Sequence, residues 1–214
     1  MSDTPFLSRL AGAEQKAGVY LLRSFLSKPE ADELFVSLND DRIFPWDRSP
    51  VLYGGKLSQH AYQFDRSQRQ AAKWPGLGKL DALCERIEQH MDGKISFVFC
   101  NRFADSSHAL PWHTDTYGEH IIVLSLGHGR KVQFRDLKTK SEVVDVLPKA
   151  GDLYFMPLGV NDTHEHRVCE AASEGEGTRL SFVFFFKAPK YAKAFSIGTK
   201  DKVKGFFEGL FARG

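Results

Sequence analysis

ISFVFCNRF, residues 95–103, is where the chain changes its hydrophobic period. From Ile95 onward short β-rich runs follow one another: IIVLSLG at 121–127, KVQFR at 131–135, VVDVL at 143–147, DLYFMPL at 152–158 and RLSFVFFF at 179–186. Turn-rich breaks such as GHGR (127–130) and KAGD (149–152) separate them. Many short strands with turns between them predict an antiparallel double sheet or barrel.

Toward the N-terminus the period is helical. Ser27 and Glu30 have the spacing of a capping box and Pro29 suits a first turn, which predicts a helix over about 29–39 with Ala31, Leu34, Phe35 and Leu38 on one face. A second helix is predicted over about 77–91, where Leu77, Leu80, Cys84, Ile87 and Met91 share a face and Gly93 ends it. Two helices ahead of six or more strands predict a mainly β, α+β sandwich with the helices bracing one face. Residues 42–75 between the helices hold Phe44, Trp46, Tyr53, Tyr62, Phe64 and Trp74 together with Lys56, Arg66 and Arg69. This stretch reads as a substrate-facing hairpin or lid rather than as core.

The chain's 214 residues, 42% of them hydrophobic, predict a single domain (1–214) with a sizeable core, which excludes disorder and fibrous repeats. A net charge of +2 selects no partner. Its distribution says more, because residues 187–214 hold seven basic side chains against Asp201 and Glu208. The end of the chain (188–214) therefore reads as a basic tail, either a solvated amphipathic end or a phosphate contact. Cys84, Cys100 and Cys169 are odd in number with no close pairing, so the expectation is a reducing, intracellular setting, cytoplasm or nucleus. No run approaches 18 apolar residues, and MSDTPFLSRL lacks a secretory pattern, so no membrane span or leader is expected.

Six of the eight histidines lie between 108 and 166. Two of them frame the chemistry. In His113-Thr114-Asp115 the imidazole and carboxylate are two residues apart, so on extended backbone they point to the same side and can converge on one ion. A third ligand from a distant strand would complete a two-histidine, one-carboxylate face, which leaves positions open on iron(II). His166, 51 residues after Asp115, is the candidate, with His164 its competitor. Arg179 opens the Phe-rich final run and would be an unpaired buried charge unless an anion met it. A dicarboxylate co-substrate would supply one through a bidentate pair.

The order of these pieces resembles the AlkB-type iron(II)/2-oxoglutarate dioxygenases over about residues 20–187. The shared pieces are N-x-aromatic (Asn101, Phe103), H-x-D (His113, Asp115), S-L-G (125–127), V-Q-F-R (132–135), G-D (151–152), H-x-V (His166, Val168) and R-L-S-F from Arg179. The resemblance implies a double-stranded β-helix (jelly-roll) core over 95–187. It implies iron(II) on His113, Asp115 and His166, and 2-oxoglutarate oriented by Asn101 and bound at its distal carboxylate by Arg179. It also implies O2-dependent conversion of 2-oxoglutarate to succinate coupled to oxidation of a substrate; in demethylating members an N-methyl group leaves as formaldehyde. The expected partner is methylated DNA or RNA, with a protein or small-molecule hydroxylase and a non-catalytic binding module as alternatives, and the chain is expected to be a monomer.

The chain also differs from that pattern. Phe103 stands where the family has tyrosine, Phe185 where a second arginine is common, and Tyr117 where repair members carry an acid near the flipped base. Tyr53 and Tyr62 are placed to stack on an extruded base, and Trp112 and His108 to line the mouth; ordinary packing is the alternative for each. Arg135 and Lys138 are either phosphate contacts or solvated.

Overall fold

A computed structural model describes residues 9–52, 55–68, 73–115, 120–141, 143–171 and 177–187. Among these residues two helices come early: α1, Lys28–Asn39, and α2, Pro75–Met91. The Glu30 carboxylate accepts from both the Ser27 N–H (2.8 Å) and the Ser27 hydroxyl (2.7 Å), so the predicted capping box is formed. The exposed Lys28–Asp32 pair on α1 adds only about 0.3–0.5 kcal/mol, whereas a buried Leu contributes roughly 1.5–3 kcal/mol, so packing of Ala31 and Leu38 decides where this helix sits. At the end of α2 it is Asp92, not Gly93, that takes the left-handed conformation, with its N–H returned to the Glu88 carbonyl.

Among the described residues thirteen strands follow in chain order. They are β1 (Glu14–Lys16), β2 (Val19–Leu22), β3 (Val51–Leu52), β4 (Gly55–Lys56), β5 (His60–Asp65), β6 (Lys94–Phe103) and β7 (Leu110–His113). Then come β8 (His120–Gly127), β9 (Val132–Asp136), β10 (Val144–Val146), β11 (Leu153–Met156), β12 (His164–Val168) and β13 (Arg179–Lys187), with a short helix α3 (Leu158–Thr163) ahead of β12. Seven strands form one sheet in the order β1-β2-β11-β8-β13-β6-β5, and four form a second in the order β10-β9-β12-β7. Every ladder is antiparallel, and the two sheets make the expected jelly roll.

Alternation sorts the side chains of the larger sheet onto two cores. On one face Leu180, Phe182, Phe184 and Phe186 of β13 pack with Leu80, Cys84 and Ile87 of α2. On the other, Val183 and Phe185 meet Val132, Phe134 and Val168 of the smaller sheet. β8 is covered on both faces, which is why its sequence is an almost unbroken apolar run. The helices brace one face as predicted.

The 42–75 stretch departs from the expectation. Phe44, Trp46 and Phe64 are buried in the helix-side core, and the Trp46 Nε1–H donates to the Leu38 carbonyl at 2.8 Å. Residues 60–65 are not lid but β5, the edge strand of the larger sheet. The period-2 pattern of HAYQFD was hidden by its flanking irregular segments. All three cysteines are free. No helix among the described residues is long and apolar enough to cross a membrane.

Candidate metal and co-substrate site

β7 and β12 are neighbours in the smaller sheet, and their register sets His113 directly against His166. The two rings lie 4.3 Å apart, and Asp115, just past the end of β7, completes a group whose donor atoms all fall within 4.8 Å of one another. His166 Nε2 is 3.5 Å from Asp115 Oδ2. The sequence reading of His166 over His164 agrees with this geometry: His164 bonds to the Thr163 hydroxyl and takes no part in the group.

Each donor is prepared by its surroundings. His113 Nδ1 is 2.7 Å from the Pro111 carbonyl, which can only accept, so the proton sits on Nδ1 and Nε2 is left with its lone pair. Burial, aided by the neighbouring His113, pushes His166 well below the usual imidazole range and keeps it neutral. Burial raises the Asp115 carboxyl, with His113 opposing the shift. The Asp115 backbone is held from both sides by Asn161 of α3, whose Oδ1 accepts its N–H at 2.8 Å and whose amide donates to its carbonyl. Two imidazoles and one carboxylate on one side, with a cavity on the other, fit an iron(II) ion that needs open positions.

That cavity, about 270 Å³ between the two sheets, is lined by the three donors, by apolar side chains such as Ile121, Val123 and Met156, and by the polar groups of Asn101, Tyr154 and Ser181. Asn101 is buried, and its Oδ1 accepts from the buried Gln59 Nε2 at 3.0 Å. Arg179 is wholly buried on the same β13 face as Ser181, though not itself part of the cavity lining. Its Nη2 donates to Ser125 Oγ at 2.8 Å, while Nε and Nη1 make no hydrogen bond of good geometry among the described residues, and burial, opposed by the neighbouring Tyr154, lowers its pKa to about 10. Two guanidinium nitrogens without such a bond in a dry setting are what a carboxylate ligand would complete.

Other expected site residues lie elsewhere. Phe103 does not line the cavity; its ring packs 5.5 Å from both the Arg130 and the Arg179 guanidinium carbons. Trp112 points to the outer face of the smaller sheet, held between Arg135 (4.0 Å) and Arg167 (4.8 Å), because the neighbouring His113 takes the inner face. Arg135 is itself paired with Glu165. Tyr62 sits on the helix face of β5, edge-on to Phe44 at 5.5 Å, so it is turned away from the cavity. His108 accepts the Ala104 N–H and packs on His60. Tyr53, Tyr117 and the 188–214 tail lie outside the described residues. Sequence reasoning missed Gln59, Tyr154 and Asn161, none of which belongs to a motif; Ser125 and Ser181 stood inside quoted motifs without a role.

No protein-family model and no curated protein matches the chain. Solved structures do. The structure of OsALKBH1 superposes with a TM-score of 0.54 at 15% identity, over 80% of this chain and 98% of that one. An oxidoreductase of the 2OG-Fe(II) oxygenase family from Burkholderia pseudomallei gives 0.57 at 15% identity, over 87% of this chain and 91% of that one. The fold is that of the 2OG-Fe(II) oxygenases. In that fold His113, Asp115 and His166 stand at the inner face of the smaller sheet, with the cavity between them and the larger one.

Proposed function

We propose that this chain is an iron(II)- and 2-oxoglutarate-dependent dioxygenase that removes N-methyl groups from nucleobases, with single strands preferred over duplex. The observation that carries the oxygenase reading is the convergence of His113, Asp115 and His166 on one wall of an apolar cavity in the same inter-sheet core as the part-satisfied Arg179. When bound, iron(II) would activate O2, the oxidant, with 2-oxoglutarate giving up two electrons as it becomes succinate and carbon dioxide and the substrate giving up the other two.

The chain's own residues bind, orient and exclude water. His113 offers Nε2, His166 offers a neutral imidazole, and Asn161 keeps the Asp115 carboxylate from drifting. Arg179 takes the distal carboxylate of the co-substrate, and the Asn101 amide, with its oxygen engaged by Gln59, has its NH2 group left to donate. The apolar wall keeps bulk water from the reacting centre.

The nucleobase reading is supported by the motif resemblance and by the likeness to OsALKBH1. One observation favours a protein or small-molecule hydroxylase instead: Phe44, Trp46 and Phe64 are spent in the core and Tyr62 faces away, so these rings are not placed to stack on a base. Mass spectrometry of methylated oligonucleotides after incubation with iron(II), 2-oxoglutarate and ascorbate separates the two. Loss of methyl groups, greater in single strands, is the expected result. A metal-loaded protein that converts no methylated oligonucleotide would pass the lead to the hydroxylase.

A further inference from the structure

Strand β13 grades from polar to apolar along its cavity face. Arg179 is followed at every second position by Ser181, Val183 and Phe185, and those three line the cavity. The ladders extend each of them into a row across the larger sheet. Ser181 lies between Asn101 and Ser125, Val183 between Phe99 and Val123, and Phe185 between Phe97 and Ile121. The polar side chains are thus gathered toward Arg179, and the rest of this floor is hydrocarbon. A co-substrate with charged ends belongs at the polar end, which leaves the apolar rows to the group that is oxidised. Leu110 and Pro111 of β7 continue the apolar surface on the opposite sheet, and Pro111 is exposed, so the mouth is apolar as well.

A charged substrate group would find no answer there. Among the described residues Asp115 is the one carboxylate in the cavity wall, and it is a metal donor. In the loaded site iron(II) and Arg179 would bring three positive charges, matched by Asp115 and the 2-oxoglutarate dianion. A cation entering would lose its water and meet no spare counter-ion, which is the costly way to bury charge. A neutral ring of the same size gives up far less hydration, and the Thr114 hydroxyl in the wall can donate to it or accept from it.

We propose that the cavity selects uncharged substrates: among methylated bases it takes those with the methyl on a neutral exocyclic amine, N6-methyladenine and N4-methylcytosine, over the cationic ring-methylated 1-methyladenine and 3-methylcytosine. The inference rests on the nucleobase reading and deepens it.

The test compares isomers, which share every heavy atom and differ in charge and in the place of the methyl group. Protein loaded with manganese(II) and 2-oxoglutarate is titrated at neutral pH into short labelled single strands that each hold one of the four bases. Fluorescence anisotropy reads the binding, so no turnover is needed. Each neutral strand should bind about tenfold tighter, or more, than its cationic isomer. Leu110→Asp sets a carboxylate into the wall at a half-buried position beside the mouth, and should move that ratio toward the cation by about tenfold. Leu57→Asp, also half-buried and in the wall, repeats this arm from another segment. Unchanged thermal melting and manganese(II) affinity check that the fold and the metal site stand in each variant. Cationic strands that bind wild type as tightly as their neutral isomers, or a ratio unmoved in both variants, would overturn the selection and leave the nucleobase reading in place. If all four methylated strands bind no tighter than the unmethylated strand, the nucleobase reading itself fails and takes this one with it.

Discussion

His113 and His166 face each other across two strands, yet they reach a metal-ready state by different means: one through a carbonyl that fixes its tautomer, the other through burial that denies it a proton. Removing either donor leaves two ligands where three are needed. His166→Ala should abolish metal-dependent turnover of 2-oxoglutarate and lower bound iron, while His164→Ala should keep most of both; a reversed result in metal analysis would overturn the ligand set. Asn161 acts at one remove, because it touches the Asp115 backbone and not the donor atoms. Asn161→Ala should weaken manganese(II) binding by roughly 10–100-fold, the usual cost of losing a group that orients a ligand. A titration matching wild type would show that α3 does not position the carboxylate. The H-x-D was legible in the sequence because its chemistry is local, two donors two residues apart at the end of β7. Asn161 was not, since a hydrogen bond spanning 46 residues leaves no mark on the letters around it.

Two of the motifs that pointed to this fold turn out to be structural at the level of the element. Gly127, at the end of β8, has φ +75°, and a side chain there would meet the Thr178 carbonyl oxygen at 2.4 Å. Gly151, ahead of β11, has φ +82°, and its missing Cβ would lie 2.6 Å from the Leu26 carbonyl oxygen. That closeness has a purpose, because the Gly151 carbonyl accepts the Leu26 N–H. Next to it the buried Asp152 carboxylate collects Arg23 at 2.6 Å and the N–H groups of Ser24 and Lys149. The turn between β10 and β11 is thus fastened to the end of β2. Gly151→Ala should destabilise the protein by about 1–3 kcal/mol through backbone strain. At roughly 2–4 °C per kcal/mol for a chain of this size, thermal denaturation should show a Tm lower by roughly 2–12 °C. An unchanged Tm would mean that the turn relaxes freely. From the sequence Asp152 looked like an ordinary turn residue; the buried network it anchors joins segments 128 and 129 residues away, beyond the reach of any local pattern.

At the scale of the molecule, the layers were legible wherever one face of an element is apolar, as in α1, α2 and β13, and illegible where aromatic residues serve the core from irregular backbone, as Phe44 and Trp46 do. The titratable groups add a property that belongs to the whole fold. Burial lowers His60, His108, His120 and His166 alike, His120 to about 4 from an ordinary 6.5. His120 is 7% exposed, with its ring 5.4 Å from that of Phe155. Between those two values the unfolded chain binds a proton that the folded chain refuses, so stability is fully present above pH 6.5 and is lost as pH falls toward 4. At 1.36 kcal/mol per pH unit, His120 alone accounts for roughly 3 kcal/mol at most. Asp115 works in the opposite direction, because its carboxyl is raised and protonation favours the fold. Several lowered imidazoles set against this one carboxyl give a net loss on acidification. His120→Leu should therefore flatten the fall in Tm between pH 6.5 and 4.5 relative to wild type, whatever it does to stability at pH 7. Tm–pH profiles of the two proteins that run parallel through that window would show that His120 does not carry the acid sensitivity.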